Sequence, residues 1–220
     1  MLYSFLTSLI ESYSFLNVFK YITFRTGLSL MTSLVIVFLI GGPLIKIFST
    51  KDITGPIRHD GPIDHIVKKS GTPTMGGIII IIGMLSSTIL WADLSNIYIW
   101  CLIFISFSLG FLGFIDDLLK IKYRNSIGLN SKLKFSGQLV IGLMTLVILI
   151  YYTNHQFINL IYFPFFKNLI IDLGPLYIIF GLFVIIGSSN AVNLTDGLDG
   201  LATVPIMLVA LSYTLISYIV

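Results

Sequence analysis

Long apolar runs broken by short polar segments dominate this chain, and their spacing predicts six membrane-crossing helices. Windows of about 20 apolar residues fall near 28–47, 76–91, 97–115, 135–152, 175–187 and 201–220. With no water in a bilayer core to satisfy backbone groups, each of these has to be a helix. The fifth is short unless it starts before Pro175, so its boundary stays open. The reading is therefore an all-α, polytopic integral membrane protein with one transmembrane domain over 1–220.

Composition agrees with that class. Of 220 residues, 56% are hydrophobic and 10% charged, with a mean hydropathy of +0.97, whereas a soluble domain carries about 25% charged residues. The single cysteine, Cys101, lies inside an apolar run, so neither a disulfide framework nor a thiol metal site is expected. The stretch 1–21 has no basic region ahead of a short apolar core and does not read as a cleaved signal peptide. No internal repeat is evident, and nothing points to nucleic acid.

The net charge of +3 says little, but its distribution is informative. Lys51, Arg58, Lys68 and Lys69 follow the first span, and Lys120, Lys122, Arg124, Lys132 and Lys134 follow the third. The opposite side has Lys167, with Lys20 and Arg25 ahead of the first span. The positive-inside rule then places 48–75, 116–134 and 188–200 in the cytoplasm and the N-terminus outside. Asp52, Asp60, Asp64, Asp116, Asp117, Asp196 and Asp199 fall in the same three loops. The insertion rule does not bias acids, so their clustering implies a site at that membrane surface.

The first of these loops, GPIRHDGPIDHIVKKSGTPTMGG, follows a non-helical path marked by its glycines and prolines. Lys68 and Lys69, with Thr72 and Thr74 at the mouth of the second span, suit a phosphate cradle, or simply a basic membrane-flanking loop. His59 and His65 have no partner at metal-ligand spacing and read as loop residues. In the second loop Asp116 and Asp117 are adjacent, at the end of the third span. Helical neighbours diverge by about 100°, so the two cannot face one small ion equally. One could touch Mg²⁺ while the other holds a substrate group or a water. The bland alternative is a solvated helix terminus, but an acidic pair near a helix C-terminus opposes the macrodipole.

The third segment, GSSNAVNLTDGLDGLA, spaces Asn190, Asn193, Asp196 and Asp199 three apart. They would share one helix face, or converge in a tight turn opened by Gly197 and Gly200. Taken singly each suits a capping or hydrated-loop role. Together, between two apolar stretches, they point to a polar ligand, a cation, or both.

The segments KKSGTPTMGG, GFIDDLLK and NAVNLTDGLDGLA, in this order and on one membrane side, resemble phospho-N-acetylmuramoyl-pentapeptide transferase. FLNVFKYITFRTG and GPIRHDGPIDH are similar to that family too, so the resemblance covers nearly all of the chain from about Ser14. It implies a Mg²⁺-dependent enzyme of peptidoglycan synthesis in the bacterial inner membrane. Such an enzyme moves phospho-N-acetylmuramoyl-pentapeptide from its UDP carrier to undecaprenyl phosphate, giving lipid I and UMP. By the same resemblance Asp116 and Asp117 match the catalytic acidic pair, and Asn193 and Asp196 match residues near the catalytic centre. Asp117 and Asp196 would be the metal ligands. Lys69, Thr74 and Lys134 match positions at the nucleotide and phosphates, with Lys132 close enough to leave that register open. Gly197, Leu198 and Asp199 match the wall that receives uridine. A homodimer is left open by the residues.

The resemblance departs in one respect. The family has about ten helices, and its later part supplies another metal-binding Asp and a His-rich motif, whereas no histidine follows His155 here. The chain is expected to be an N-terminal fragment or a truncated product without transfer activity of its own. Two rivals remain: a related transferase moving N-acetylhexosamine-1-phosphate from a UDP-sugar to the same lipid, and an ion-coupled transporter. Transporter sites sit near the bilayer midplane, whereas every candidate residue here lies at a span end on one side.

Overall fold

The computed structural model describes residues 1–51, 53, 74–124, 128–153, 159–163, 166–195 and 201–219. They fall into two units, Met1–Tyr152 and Thr153–Val220. Among the described residues four helices are long and apolar enough to cross a membrane, with two shorter apolar ones. The chain is an all-α polytopic membrane protein.

In the first unit a short helix α1 (Leu2–Ser8) and a 3-10 turn (Ser14–Lys20) precede α2 (Ile22–Thr50), α3 (Gly77–Trp91), α4 (Ile97–Tyr123) and α5 (Ser131–Tyr152). Helices adjacent in sequence pack together: α2 on α3, α3 on α4, and α4 on α5. Between lipid-bathed helices no water is released on contact, so close approach depends on small residues. A glycine serves each interface. A Cβ on Gly83 of α3 would stand 2.7 Å from Val37 Cγ2 and 3.3 Å from the Ser33 carbonyl oxygen of α2. One on Gly110 of α4 would overlap Ile81 Cδ1 of α3, and one on Gly137 of α5 would lie 2.9 Å from Leu112 Cδ1 of α4.

Polar side chains inside this unit face the bundle rather than lipid. Ser87, Gln138 and Thr145 are buried. The Ser87 and Thr145 hydroxyls donate back to the Met84 and Ile141 carbonyls, which satisfies them within their own helices. Most large apolar side chains are instead exposed, as a lipid-facing surface requires. At the end of α3 opposite Gly77, Trp91 Nε1 donates to Thr32 Oγ1 at 3.2 Å and its ring stacks on Phe19. The terminal amine of Met1 donates to the Ile89 carbonyl at 2.8 Å, and the Arg25 guanidinium lies over the Tyr3 ring. These contacts fasten α1 over the α2–α3 pair. In the connection to α4, the Ser95 hydroxyl and backbone N–H bonded to Asp93 hold its carboxyl below the usual carboxylate range.

The second unit holds a two-stranded antiparallel hairpin, β1 (Leu160–Phe163) and β2 (Phe166–Asp172), then α6 (Leu176–Thr195) and α7 (Thr203–Ile219). Leu160 pairs with Asp172 and Tyr162 with Ile170, with an irregularity between Tyr162 and Phe163. The hairpin was not anticipated: its strands are only four and seven residues long, and Lys167 and Asn168 interrupt β2, so neither run stands out as an element between the spans.

Several helices run past the predicted spans. The first helix runs Ile22–Thr50 where 28–47 was expected, and carries Pro43 inside. The third continues through Tyr123, eight residues beyond the expected end at 115. The region 116–134 is therefore largely helix, since α5 opens at Ser131. The fifth span, expected at 175–187, is a 20-residue helix ending at Thr195, so the first part of 188–200 is helix rather than loop. In each case polar residues lowered the hydropathy while the backbone stayed helical.

Candidate active site

Helix α4 has 27 residues, roughly 40 Å at about 1.5 Å per residue, against a hydrocarbon layer of roughly 30 Å. Counted from the Asn96 cap, about 20 residues would fill that layer, so about two turns at the Tyr123 end would emerge from it. Asp116 and Asp117 sit at the start of that emerging part. They are not in the final turn, which carries Lys120 and Lys122, charges that favour a helix C-terminus. This corrects the expectation of a dipole penalty on the acidic pair, because that effect fades beyond the last turn.

The two carboxylates diverge, as their adjacency demands. Asp116 is buried at 6% exposure. Its Oδ2 lies 2.7 Å from Lys120 Nζ, one turn on, and 3.7 Å from Lys134 Nζ of α5. Its Oδ1 accepts a hydrogen bond from the Leu129 backbone N–H at 2.7 Å. Both oxygens are thus engaged by the chain itself. The Asp117 side chain is 34% exposed and shares Lys120 through Oδ1 at 3.0 Å. Lys120 reaches both acids because they lie four and three residues before it.

The backbone between α4 and α5 is shaped for this contact. Arg124 ends α4 in the left-handed region at φ 48°, its N–H returning to the Lys120 and Ile121 carbonyls. Gly128 has φ 64°, and a Cβ there would overlap Asp116 Oδ1 and stand 2.8 Å from Lys120 Cε. Asn130 Oδ1 accepts from the Lys132 N–H and starts α5. Lys132 is thereby at the helix entrance with its side chain exposed, and Lys134 is the lysine that turns to Asp116.

Sequence reading missed Lys120, Gly128 and Leu129. The spacing of Lys120 from the two acids was a usable signal. Nothing local marked Gly128, whose partner is twelve residues earlier.

The other candidates are placed as follows. Thr74 donates its backbone N–H to the Ile53 carbonyl at 3.2 Å, joining the residues that flank 54–73. The next residue, Met75, is buried with φ 69°, an uncommon conformation for a side chain other than glycine. In the second unit Asn193 is exposed in the last turn of α6, one turn from Asn190, whose Nδ2 donates to the Ile186 carbonyl. Lys69, Asp196, Gly197, Leu198 and Asp199 lie outside the described residues, as do His59, His65 and Lys68.

Among the described residues no group of three or more His, Cys, Asp and Glu could cage a metal. One outward carboxylate, Asp117, suits Mg²⁺, which takes one or two carboxylates and fills its other positions with phosphate oxygens and water.

Comparison with known proteins gives the family. Residues 99–220 match Glycosyl transferase family 4, and residues 69–81 match Phospho-N-acetylmuramoyl-pentapeptide-transferase signature 1. The whole chain aligns with proteins named phospho-N-acetylmuramoyl-pentapeptide-transferase. It is 57% identical to that of Pelagibacter ubique (strain HTCC1062) over 219 residues and 50% identical to that of Rickettsia prowazekii (strain Madrid E) over 221. It is 44% identical to that of Maricaulis maris (strain MCS10) over 230. The chain spans 61–62% of the length of these relatives. Its similarity is thus to the N-terminal portion of such transferases, and the chain belongs to glycosyl transferase family 4.

Proposed function

We propose that the protein transfers phospho-N-acetylmuramoyl-pentapeptide from its UDP carrier to undecaprenyl phosphate at the cytoplasmic face of the bacterial inner membrane. Lipid I and UMP are the products. The observation that carries this reading is the asymmetric acidic pair: Asp116 engaged on both oxygens, with the more exposed Asp117 beside it. Two anions must meet in this reaction, so charge neutralisation dominates the barrier.

Lys120 and Lys134 stand against the carboxylates and balance their charge, and their ammonium groups would meet phosphate oxygens brought beside them. By the resemblance Lys69 and Thr74 would bind the diphosphate, Thr74 lying three residues before α3, with backbone N–H groups of the helix start. Asn193 would orient the reacting phosphates, and Gly197, Leu198 and Asp199 would receive the uridine. The lipid phosphate has a second pKa near 6 and is mostly dianionic at neutral pH. Asp116 and Asp117 are therefore assigned to positioning and binding rather than proton abstraction. By the resemblance Asp117 and Asp196 are the residues that would hold Mg²⁺, which would supply charge neutralisation for the UMP leaving group.

The test uses the full-length protein in membranes, with labelled UDP-N-acetylmuramoyl-pentapeptide, undecaprenyl phosphate and Mg²⁺. Lipid I that forms with Mg²⁺ and stops with chelator is expected. Product formed only when UDP-N-acetylglucosamine replaces the donor would assign the protein to the related sugar-1-phosphate transferases instead.

A further inference from the structure

We infer that Gly128 is a positioning residue for the transfer, acting through Asp116; the inference rests on the function proposed above. Two features of one turn converge on a single carboxylate oxygen. Gly128 sits at φ 64°, and the space its missing Cβ would fill is occupied by Asp116 Oδ1 and Asp116 Cγ. The next backbone N–H, that of Leu129, donates to the same Oδ1 at 2.7 Å. The left-handed glycine thus lets the chain approach the carboxylate closely enough for a backbone donor to reach it.

The consequence is a fixed rotamer. With Oδ1 held by Leu129 and Oδ2 by Lys120 and Lys134, the Asp116 carboxylate has no freedom to swing toward Asp117. The same missing Cβ leaves room for Lys120 Cε, so the lysine can reach both acids, which hold its Nζ at 2.7 and 3.0 Å. The lysine stays between the two acids, and Asp117 keeps one orientation toward the substrate side. Two requirements of the position separate: a positive φ, which asparagine tolerates, and empty space, which only glycine provides.

The experiment compares Gly128→Ala and Gly128→Asn with Gly113→Ala, whose Cβ would meet nothing within 4 Å. All are made in the full-length protein and assayed for lipid I, with kcat and the KM for the UDP donor measured separately. Thermal unfolding in detergent reports the fold. Misplacing reacting groups by about 1 Å costs up to roughly a hundredfold in rate. Both Gly128 variants are therefore expected to lose about tenfold or more in kcat, with the donor KM within about twofold. Gly113→Ala should match the wild type.

Wild-type kcat in Gly128→Asn would overturn the inference, because the space beside Asp116 would then be immaterial. A raised KM with unchanged kcat would also overturn it, by making the turn a donor-binding element. Failure of both variants to insert and fold would make Gly128 a folding residue and overturn it as well. Absence of lipid I from the wild type, by contrast, removes the proposed function itself.

Discussion

Lys134 Nζ of α5 stands 3.7 Å from Asp116 Oδ2 of α4, so one ion pair crosses between the helices that carry the acidic site. Lys120 already neutralises the same oxygen at 2.7 Å, and the Lys134 side chain is 22% exposed. Its share in stability is therefore modest, about 1 kcal/mol or less for a partly solvated pair. Its share in activity should be larger, because it sets the potential where phosphates bind. Lys134→Met is expected to lower the rate of lipid I formation at least about tenfold, with little change in unfolding temperature. Lys132→Met, at the exposed start of α5, should act within about twofold of wild type. Equal losses in the two variants would remove Lys134 from the site.

The two aspartates should separate in stability while agreeing in activity. Asp117 is one-third exposed and shares a single lysine. Asp117→Asn is accordingly expected to leave the unfolding temperature nearly unchanged and to abolish turnover. Asp116 is buried against two lysines and a backbone N–H. Removing its charge leaves those lysines short of a partner, a penalty that reaches about 3–5 kcal/mol for fully buried pairs and less here. Asp116→Asn should thus lose both turnover and several degrees of thermal stability. Near-normal lipid I formation by either variant would sink the assignment.

Much of this was legible in the sequence, for identifiable physical reasons. Twenty apolar residues in a row admit few readings, so the spans were found. Their ends were not, because Asp116 to Tyr123 is charged enough to look like loop while Lys120 stabilises it as helix. The acidic pair was visible as adjacent letters, and its division of labour follows only from what packs on each side. Lys134 was preferred over Lys132 by resemblance, and its contact with Asp116 came from the turn of α5. Gly128 and Leu129 were illegible because their meaning is a contact with a residue more than three helical turns earlier. The hairpin was missed because its strands are short and Lys167 and Asn168 break the apolar pattern of β2.

Glycine contacts make a further test of the bundle. In a helix, Gly→Ala ordinarily gains about 1 kcal/mol from propensity. At Gly83 the new Cβ would press on Val37 Cγ2 and the Ser33 backbone, and overpacking costs typically about 1–3 kcal/mol. Gly83→Ala is expected to be neutral to destabilising, and Gly83→Val clearly destabilising, by thermal unfolding in detergent. Gly42→Ala, where nothing lies within 4 Å, should not lower the unfolding temperature. A stable Gly83→Val variant would mean that α2 and α3 do not pack through this residue.

Orientation across the membrane is the last expectation, and α4 is the helix on which to test it. Lys120, Lys122 and Arg124 crowd one end, while 92–96 at the other end has no Lys or Arg. The positive-inside rule puts the basic end in the cytoplasm, which also places Asp116 and Asp117 where a soluble UDP donor is made available. With Cys101 replaced by alanine, Ser95→Cys and Arg124→Cys each introduce a single exposed thiol, one at each end of α4. A membrane-impermeant maleimide added to intact cells is expected to label position 95 and to reach position 124 only after the cells are opened. Labelling of position 124 in intact cells would invert the helix and move the acidic pair to the wrong face for the proposed donor.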